Sequence, residues 1–409
     1  MAGVEPLGRN RDFRVVLVIG AISALGDALT SVALPLLVLA LTGSGVALGV
    51  VGAIGALADF LVAMPAGVVA DRGDRKRLMV RADLGRAMLT ALVPVSVLAG
   101  GPTLAVILVV AAPLSVLRAM FRAGSIAAIP DLVGRPQLAR ANAVLETAAS
   151  TAFIVGPSIA GLLAVTIGPG STLAIDALTF AISAGGLLLV RRELRAPADR
   201  PRAGMAVEIR DGIAYVGRHP VLRAAIVLFS LYTGVTAGLV AALAFRITRD
   251  LAQPSTVLGL VLAGWSVGTL AGSVAVPWVV ARAGVARILV GGVAATGFSL
   301  LGMAAVGGVV ATVGLAVAFG AAEGLVSVTY VTVRTAYSPD ELLGRIGSSA
   351  RSVSLGLQPV GFLAAGVLID AIGGTLTIAV MGGTLCLLAA AFALVRSLRL
   401  AVIQPPPPG

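Results

Sequence analysis

The sequence of 409 residues is poor in the residue types that build most enzyme and metal sites. It contains one cysteine, Cys386, and one histidine, His219. A lone cysteine excludes a disulfide framework, and no group of His and Cys has the spacing of metal ligands. The phosphate-binding pattern G-x-x-x-x-G-K-[ST] is also missing, so we expect no fused ATP-driven motor. Since no nucleophile and base are suitably arranged either, we expect a protein that is not an enzyme and needs no cofactor or metal.

Charged residues are scarce as well. They make up 12% of the chain, whereas 58% of it is hydrophobic, and the mean hydropathy is +1.03. A soluble protein cannot cover so much apolar surface, so this composition predicts a polytopic membrane protein. The 51 glycines fit that prediction, because small residues let membrane helices approach closely. Aromatic residues are few, which suits a cavity for amphipathic organic molecules better than one for sugars.

Long apolar runs predict twelve membrane spans. We place them at about 14–41, 45–70, 78–99, 103–123, 141–167, 171–190, 222–246, 255–281, 286–307, 309–333, 346–371 and 374–395. The basic residues fall in every second loop, and short basic loops stay in the cytoplasm. This pattern predicts a multi-pass protein of the cytoplasmic membrane with both termini in the cytoplasm. It also accounts for the net charge of +11 without a nucleic-acid partner.

The hydrophilic stretch from Arg191 to Arg223 separates two sets of six predicted spans. One arginine and three glycines recur after a shift of 205 residues: Arg140, Gly156, Gly161 and Gly168 align with Arg345, Gly361, Gly366 and Gly373. The fold class we predict is therefore an all-α membrane protein with twelve transmembrane helices in two pseudo-symmetric six-helix bundles.

This repeat predicts the domain boundaries. The two bundles are expected at 1–190 and 222–397, joined by a cytoplasmic linker at 191–221. Charges alternate with apolar residues in the linker, which predicts a short amphipathic helix on the inner membrane surface. Residues 398–409 include four consecutive prolines, and we expect a disordered tail there.

A dense cluster of charges lies between the second and third predicted spans. Residues 67–77 contain two acids and four bases, so they mark a tight turn on a membrane face. Asp71 is expected to pair with a neighbouring helix in one conformation. Asp83 and Arg86, placed at the start of the third span and one helical turn apart, are expected to complete this network. The candidate inner-gate residues are Gly67, Asp71, Arg72, Arg75, Asp83 and Arg86. The alternative is a solvated basic loop that only sets topology, with Asp83 and Arg86 as a surface pair.

The pattern G-x-x-x-D-R-x-x-R-K-R in this turn resembles the cytoplasmic loop between helices 2 and 3 of the major facilitator superfamily of transporters. Nearly the whole chain is similar to the drug-exporter branch that contains macrolide efflux proteins and the enterobactin exporter. That resemblance rests on Gly26-Asp27 and on residues 33–38, 41–44, 129–133, 141–143, 175–180 and 339–345.

One further motif resembles a known pattern. Gly156, Pro157 and Gly161 are similar to the glycine-proline motif in the fifth span of the superfamily's antiporters, although Ala160 replaces the second residue of the usual glycine pair. The resemblance implies the major facilitator fold, in which spans 1, 4, 7 and 10 line a central cavity.

Ionisable side chains deep in a span are costly unless they have a partner or a function. Asp27, Asp59 and Glu323 lie about halfway through predicted spans 1, 2 and 10, and they are the candidate proton carriers. The resemblance does not lead us to expect an acid at Asp59. A fixed ion pair or a bond to backbone is the alternative for each. Asp176, near the outer end of span 6, is expected to accept a structural hydrogen bond.

The candidate cavity residues are two arginines near the inner end of span 4 and three aromatic residues of spans 7, 8 and 10: Arg118, Arg122, Tyr232, Trp265 and Tyr330. Together these features predict a monomeric transporter in the lipid bilayer. It would export hydrophobic or amphipathic small molecules, such as drugs and macrolide-like compounds, by proton antiport with alternating access, using the proton gradient as its energy source. The alternatives are an exporter of one metabolite or siderophore, and a non-transporting membrane scaffold.

Overall fold

The computed structural model describes residues 7–194, 214–339 and 342–396. Within these ranges the chain folds into helices joined by short turns. The predicted linker helix lies almost wholly outside the described residues, and so does the predicted C-terminal tail.

Six helices cover the described residues up to 188. They are α1 (Arg11–Thr42), α2 (Gly45–Arg72), α3 (Arg75–Leu98), α4 (Thr103–Val133), α5 (Leu138–Thr166) and α6 (Pro169–Leu188). Local signals set several of their ends. The side chains of Asn10, Ser44 and Asp74 each accept a bond from a first-turn N–H of the helix that follows, which satisfies a donor without an intrahelical partner.

From residue 220 onward, the described residues form six further α-helical segments and one π-helix. The segments are α7 (Pro220–Thr236), α8 (Leu239–Phe245), α9 (Ser255–Ala283), α10 (Val285–Ala305), α11 (Val309–Ala336) and α12 (Leu343–Ala393), with the π-helix at Arg246–Asp250 after α8. The backbone of α12 is interrupted at Gly373, where φ is 79° and ψ is 169°. Gly168, its partner in the predicted repeat, has φ of 86° and ψ of 155°, a conformation that favours glycine.

The chain divides into two compact units. The first unit comprises residues 1–200 and 254–263, and the second comprises residues 201–253 and 264–409. In the first unit α1 packs on α5 and α6, α3 packs on α4 and α6, and α2 packs on α4. In the second unit α12 packs on α7, α8 and α10, and α10 also packs on α11.

Ten helices of the described residues are long and apolar enough to cross a bilayer. They differ from the twelve predicted spans in two places. Helix α3 is not among the ten, because six charged residues crowd its first half. Helix α12 counts once despite the interruption at Gly373. The all-helical membrane architecture is confirmed, and the number twelve remains a prediction.

Helix α4 is longer than its predicted span. It continues ten residues beyond the predicted end at 123 and stops at Val133, before Gly134 with φ of 74°. Arg118 and Arg122 therefore lie in the middle of the helix instead of near its end. The prediction was wrong here because charged side chains on a face that avoids lipid do not end a helix.

Glycines allow α9 and α11 to touch backbone to backbone inside the second unit. A Cβ on Gly320 of α11 would lie 2.8 Å from the Thr269 nitrogen, and one on Gly272 of α9 would lie 2.7 Å from the Ala321 carbonyl carbon. Such close approach between membrane helices depends on small residues.

We predict that Gly320→Ala destabilises the protein by about 1–3 kcal/mol, because the added methyl group must force α9 and α11 apart. The matched control is Gly314→Ala on the same helix, where an added Cβ meets no atom within 4 Å. The control should leave the melting temperature in detergent unchanged or slightly higher, since alanine favours helix. Equal melting temperatures for the two variants would contradict the close packing.

Candidate functional site

A buried cluster of charged groups in the first unit is centred on Arg86 of α3. Its guanidinium pairs with Asp27 of α1 and, at 3.1 Å, with Asp83 one turn earlier on α3. The same group donates to Ser23 Oγ at 3.2 Å. On its other side it lies 3.7 Å from the ring centroid of Phe180 on α6. One arginine side chain thus connects three helices.

This cluster lies deep within the unit. Arg86 is the twelfth residue of α3, which puts it roughly 16 Å along the helix. Its side chain is 3% exposed and that of Asp83 is 0% exposed, whereas that of Asp27 is 27% exposed. Asp83 and Arg86 therefore belong with Asp27 in this structure, and their role in an inner-gate network with Asp71 stays a prediction. Asp27 is thus the most exposed carboxylate of this cluster.

Asp176 forms a second connection between α1 and α6. Thr30 on α1 donates to one of its carboxylate oxygens, and Thr179 donates to the other at 3.2 Å. The residue is fully buried. Gly26 is required beside it, because a Cβ there would collide with the Asp176 and Thr179 side chains. The predicted structural hydrogen bond is confirmed.

Asp59 and Arg118 form an ion pair between the middle of α2 and the middle of α4. Arg118 Nη2 lies 2.6 Å from Asp59 Oδ2, with the two side chains 49% and 28% exposed. Charges at this depth cannot face hydrocarbon, so the exposed side of this pair marks a face that meets water or protein. Arg122, one turn further along α4, is exposed and forms no ion pair with the described residues.

In the second unit Glu323 lies at a similar depth, and its hydrogen-bond partners differ from those of the acids in the first unit. Trp265 Nε1 on α9 donates to Glu323 Oε2 on α11, and Thr269 Oγ1 donates to the same oxygen at 3.1 Å. The indole ring packs edge-on against Phe319, with centroids 5.0 Å apart. Among the described residues, no arginine or lysine pairs with Glu323. Trp265 is thus a hydrogen-bond partner of the carboxyl group.

Two of the candidate cavity residues are covered by packing inside the second unit. The exposed fractions of Tyr232 and Tyr330 are 2% and 3%. The Tyr330 ring stacks on Phe229, with centroids 4.0 Å apart and an interplanar angle of 6°. Contact of these tyrosines with a ligand remains a prediction, and in this structure their rings contact protein.

Arg75 stabilises the charged turn between α2 and α3 through an ion pair and a hydrogen bond. Its Nη1 lies 2.5 Å from Asp131 Oδ2 at the end of α4, and its Nε donates to the Ala70 carbonyl at 3.3 Å. The side chains of Asp71 and Arg72 lie outside the described part of the structure. Gly67, another inner-gate candidate, is not at a close helix contact, because a Cβ there would meet no atom within 4 Å.

Sequence reasoning missed Asp131 as the partner of this turn, although it is the only acidic residue of α4. This isolated acid was the sequence signal that could have identified Asp131 as a partner of the basic turn. Arg192 also contacts the end of α4: its Nη1 donates to the carbonyls of Asp131 and Leu132 at 2.9 Å each. The end of α4 is therefore held by both α3 and the segment after α6.

The antiporter-like motif lies where α5 meets two neighbours within the first unit. A Cβ on Gly156 would press on Ala28 of α1 and lie 3.3 Å from Leu25 Cδ1, and one on Gly161 would lie 2.9 Å from the Ser255 carbonyl oxygen at the start of α9. Pro157 is buried between them. The motif therefore provides close helix packing in this structure.

We predict that Arg75→Gln lowers the unfolding free energy by on the order of 2 kcal/mol, because it leaves Asp131 without its cation in a mostly buried corner. The matched control is Arg77→Gln, since Arg77 pairs with Asp74 at 3.2 Å while 69% exposed; its loss should cost less than about 0.5 kcal/mol. Thermal unfolding in detergent measures both. Equal losses would show that the Arg75 pair has no special role.

Comparison with known proteins adds family relationships to this geometry. Residues 2–404 match the family model described as transmembrane secretion effector. The multidrug efflux pump Tap of Mycolicibacterium fortuitum is 30% identical over 356 residues, which cover 85% of this chain and 87% of that protein. The multidrug efflux pump Tap of Mycobacterium tuberculosis (strain ATCC 25618 / H37Rv) is 27% identical over 390 residues, with coverages of 88% and 87%.

Solved structures show the same fold. The crystal structure of the nucleoside transporter NupG superposes with a TM-score of 0.76 at 13% sequence identity, covering 96% of this chain and all of that one. Identity this low supports a shared fold and carries no information on substrate.

Proposed function

This chain belongs to the transmembrane secretion effector family of the major facilitator superfamily, and we propose that it exports hydrophobic or amphipathic drugs in exchange for protons. It is a multi-pass membrane transporter and not an enzyme. The efflux of drugs is proposed from the relatives named multidrug efflux pumps, which align along most of the chain. Coupling to protons is proposed from the buried carboxyl groups.

The observation that carries the proposal is the excess of carboxyl groups around Arg86. Asp27 and Asp83 share its guanidinium, and Asp176 lies within electrostatic range of both Asp27 and Arg86. Arg118, paired with Asp59, lies within range of Asp27 as well. Four carboxyl groups thus surround two guanidinium groups. A buried carboxylate without a matching cation loses its charge by binding a proton, so this region can store one.

Asp27 is the member of the cluster suited to exchange that proton. It is the most exposed of the groups in direct contact with Arg86, since the side chains of Arg86 and Asp83 are buried. When Asp27 binds a proton it gives up its ion pair with Arg86, which retains Asp83 and Ser23 as partners. Proton binding therefore weakens a contact between α1 and α3 without leaving the guanidinium unpaired. A change of helix contacts of this kind is what alternating access requires.

Glu323 is the proposed proton site of the second unit. Its only partners among the described residues are neutral donors, so no salt bridge has to break when it takes up a proton. We propose that Arg75 and Asp131, with Asp71 and Arg72, stabilise one state of the inner gate. Asp59 is proposed to hold Arg118 in place, with proton transfer as its second possible role.

The remaining sequence predictions belong to this proposal. They are twelve spans in two six-helix bundles, both termini in the cytoplasm of the plasma membrane, a monomeric state, and no cofactor beyond the proton gradient. The positive-inside distribution of arginine supports the orientation.

We predict that drug addition to inverted membrane vesicles with an imposed pH gradient triggers proton release through the native protein and not through Asp27→Asn. The substitution keeps the size and polarity of the side chain and removes its capacity to carry a proton. The matched comparison is Asp59→Asn, which alters an acid at equal depth and should retain coupled release. A pH-sensitive dye and a panel of fluorescent amphipathic cations and macrolides provide the readout.

The possible results separate the hypotheses. Coupled release that persists in Asp27→Asn would contradict the role of Asp27 and assign the proton to Glu323 or Asp59. Release triggered by one anionic siderophore and by no drug would replace drug export with export of a specific metabolite. Absence of flux with every compound would favour a non-transporting scaffold.

We predict that Trp265 fluorescence reports the protonation of Glu323. The chain has two tryptophans, so Trp278→Phe leaves Trp265 as the only emitter, with its indole N–H on the carboxyl group. Its emission should change when acidification protonates this carboxyl group, and Glu323→Gln should remove the change. An emission profile that stays flat on acidification with Glu323 present would contradict proton binding by this carboxyl group.

A further inference from the structure

A basic groove lies on the first unit between the beginning of α3 and the end of α6. Its volume is about 470 Å³. Five bases line it, Lys76, Arg77, Arg81, Arg191 and Arg192, against two acids. The groove shares no residue with the Arg86 cluster or the Glu323 site, and the proposed export function does not use it.

Three of the five bases already have partners in the protein. Lys76 Nζ donates to the carbonyls of Leu188 and Val190 at 3.1 and 2.6 Å. Arg77 pairs with Asp74, and Arg192 donates to two carbonyls at the end of α4. These contacts fix the walls of the groove.

The other two bases are available for a ligand. Within the described residues, the guanidinium groups of Arg81 and Arg191 form no hydrogen bond or ion pair, and both side chains are exposed. Arg81 follows Arg77 by four residues, so both lie on one face of α3. Two guanidinium groups at a groove provide several N–H donors for one anion, an arrangement that suits the oxygens of a phosphate.

The groove also has an apolar side. Val80 and Leu188 line it together with the bases, and Leu188 is 62% exposed at the last residue of α6. An exposed leucine at the end of a membrane helix is suited to contact with acyl chains. A ligand that contacts both sides must combine an anionic head with a hydrocarbon tail.

We propose that this basic groove binds the phosphate headgroup of an anionic phospholipid from the surrounding leaflet. Arg81 and Arg191 would hold the phosphate oxygens, and the acyl chains would lie along Leu188. Bases outnumber acids five to two in the lining, which favours an anionic headgroup over a zwitterionic one. Basic pockets between helix ends on the cytoplasmic side are suited to such lipids. A free phosphate shares the headgroup chemistry and lacks the tail.

The test compares lipid binding by the purified full-length protein and two double variants. Arg81→Gln/Arg191→Gln removes the two available guanidinium groups. Arg11→Gln/Arg14→Gln is the matched control, since these arginines of α1 are exposed and lie outside the groove. Native mass spectrometry and melting temperature are measured with phosphatidylglycerol, with phosphatidylcholine and with soluble glycerol phosphate.

We expect phosphatidylglycerol to bind and to raise the melting temperature of the native protein and of the control. The groove variant should bind it about tenfold or more weakly, because two charged hydrogen-bonding groups are lost. Equal melting temperatures of all three proteins in phosphatidylcholine show that the variants are folded. Arg191→Gln alone, in the exposed segment after α6, is the second variant should the double variant unfold.

Three results would overturn the proposal. The first is equal stabilisation of the native protein by phosphatidylcholine and phosphatidylglycerol. The second is undiminished phosphatidylglycerol binding by the groove variants. The third is full stabilisation by glycerol phosphate alone, which would make the occupant a soluble phosphate and not a lipid.

Discussion

The ion pair between Arg86 and Asp27 is the contact on which the interior of the first unit depends. A guanidinium at this depth is tolerated only when its charge and its donors have partners. Arg86 finds them on three helices: Asp27 and Ser23 on α1, Asp83 on α3, and the face of Phe180 on α6. The packing of α1, α3 and α6 and the ionisation of these carboxyl groups are therefore coupled. When Asp27 releases a proton and pairs with Arg86, the contacts between α1 and α3 must therefore change.

The two units stabilise their buried carboxyl groups with different partners. The first unit pairs Asp27, Asp83 and Asp59 with two arginines, whereas the second binds Glu323 through the neutral donors of Trp265 and Thr269. Their backbones nevertheless share a detail expected of a repeat, since Gly168 and Gly373 both have a positive φ, of 86° and 79°, before the helical residues that follow. In the proposed exporter, a similar framework in each unit would thus hold chemically distinct proton sites.

The sequence was sufficient to locate the depth of three acids and insufficient to locate the depth of the arginines or the partners of either. Asp27, Asp59 and Glu323 lie at the middle of α1, α2 and α11, as counting along the apolar runs predicts. Arg86 and Arg118 were placed too near the membrane surface, because charges were taken to mark the ends of spans. Each is neutralised by an acid on another helix, and that acid lies 59 residues earlier in the sequence. Asp131 was missed for the same reason, since its partner Arg75 lies 56 residues earlier.

Infrared spectroscopy of the purified protein tests the central claim that Asp27 exchanges a proton while Arg86 keeps its remaining partners. Acidification should increase the C=O stretching band of protonated carboxyl groups, and isotope labelling of aspartate distinguishes Asp from Glu. The account predicts that Asp27→Asn removes an aspartate component of this band that Asp59→Asn leaves in place. An aspartate band of unchanged intensity in Asp27→Asn would contradict it.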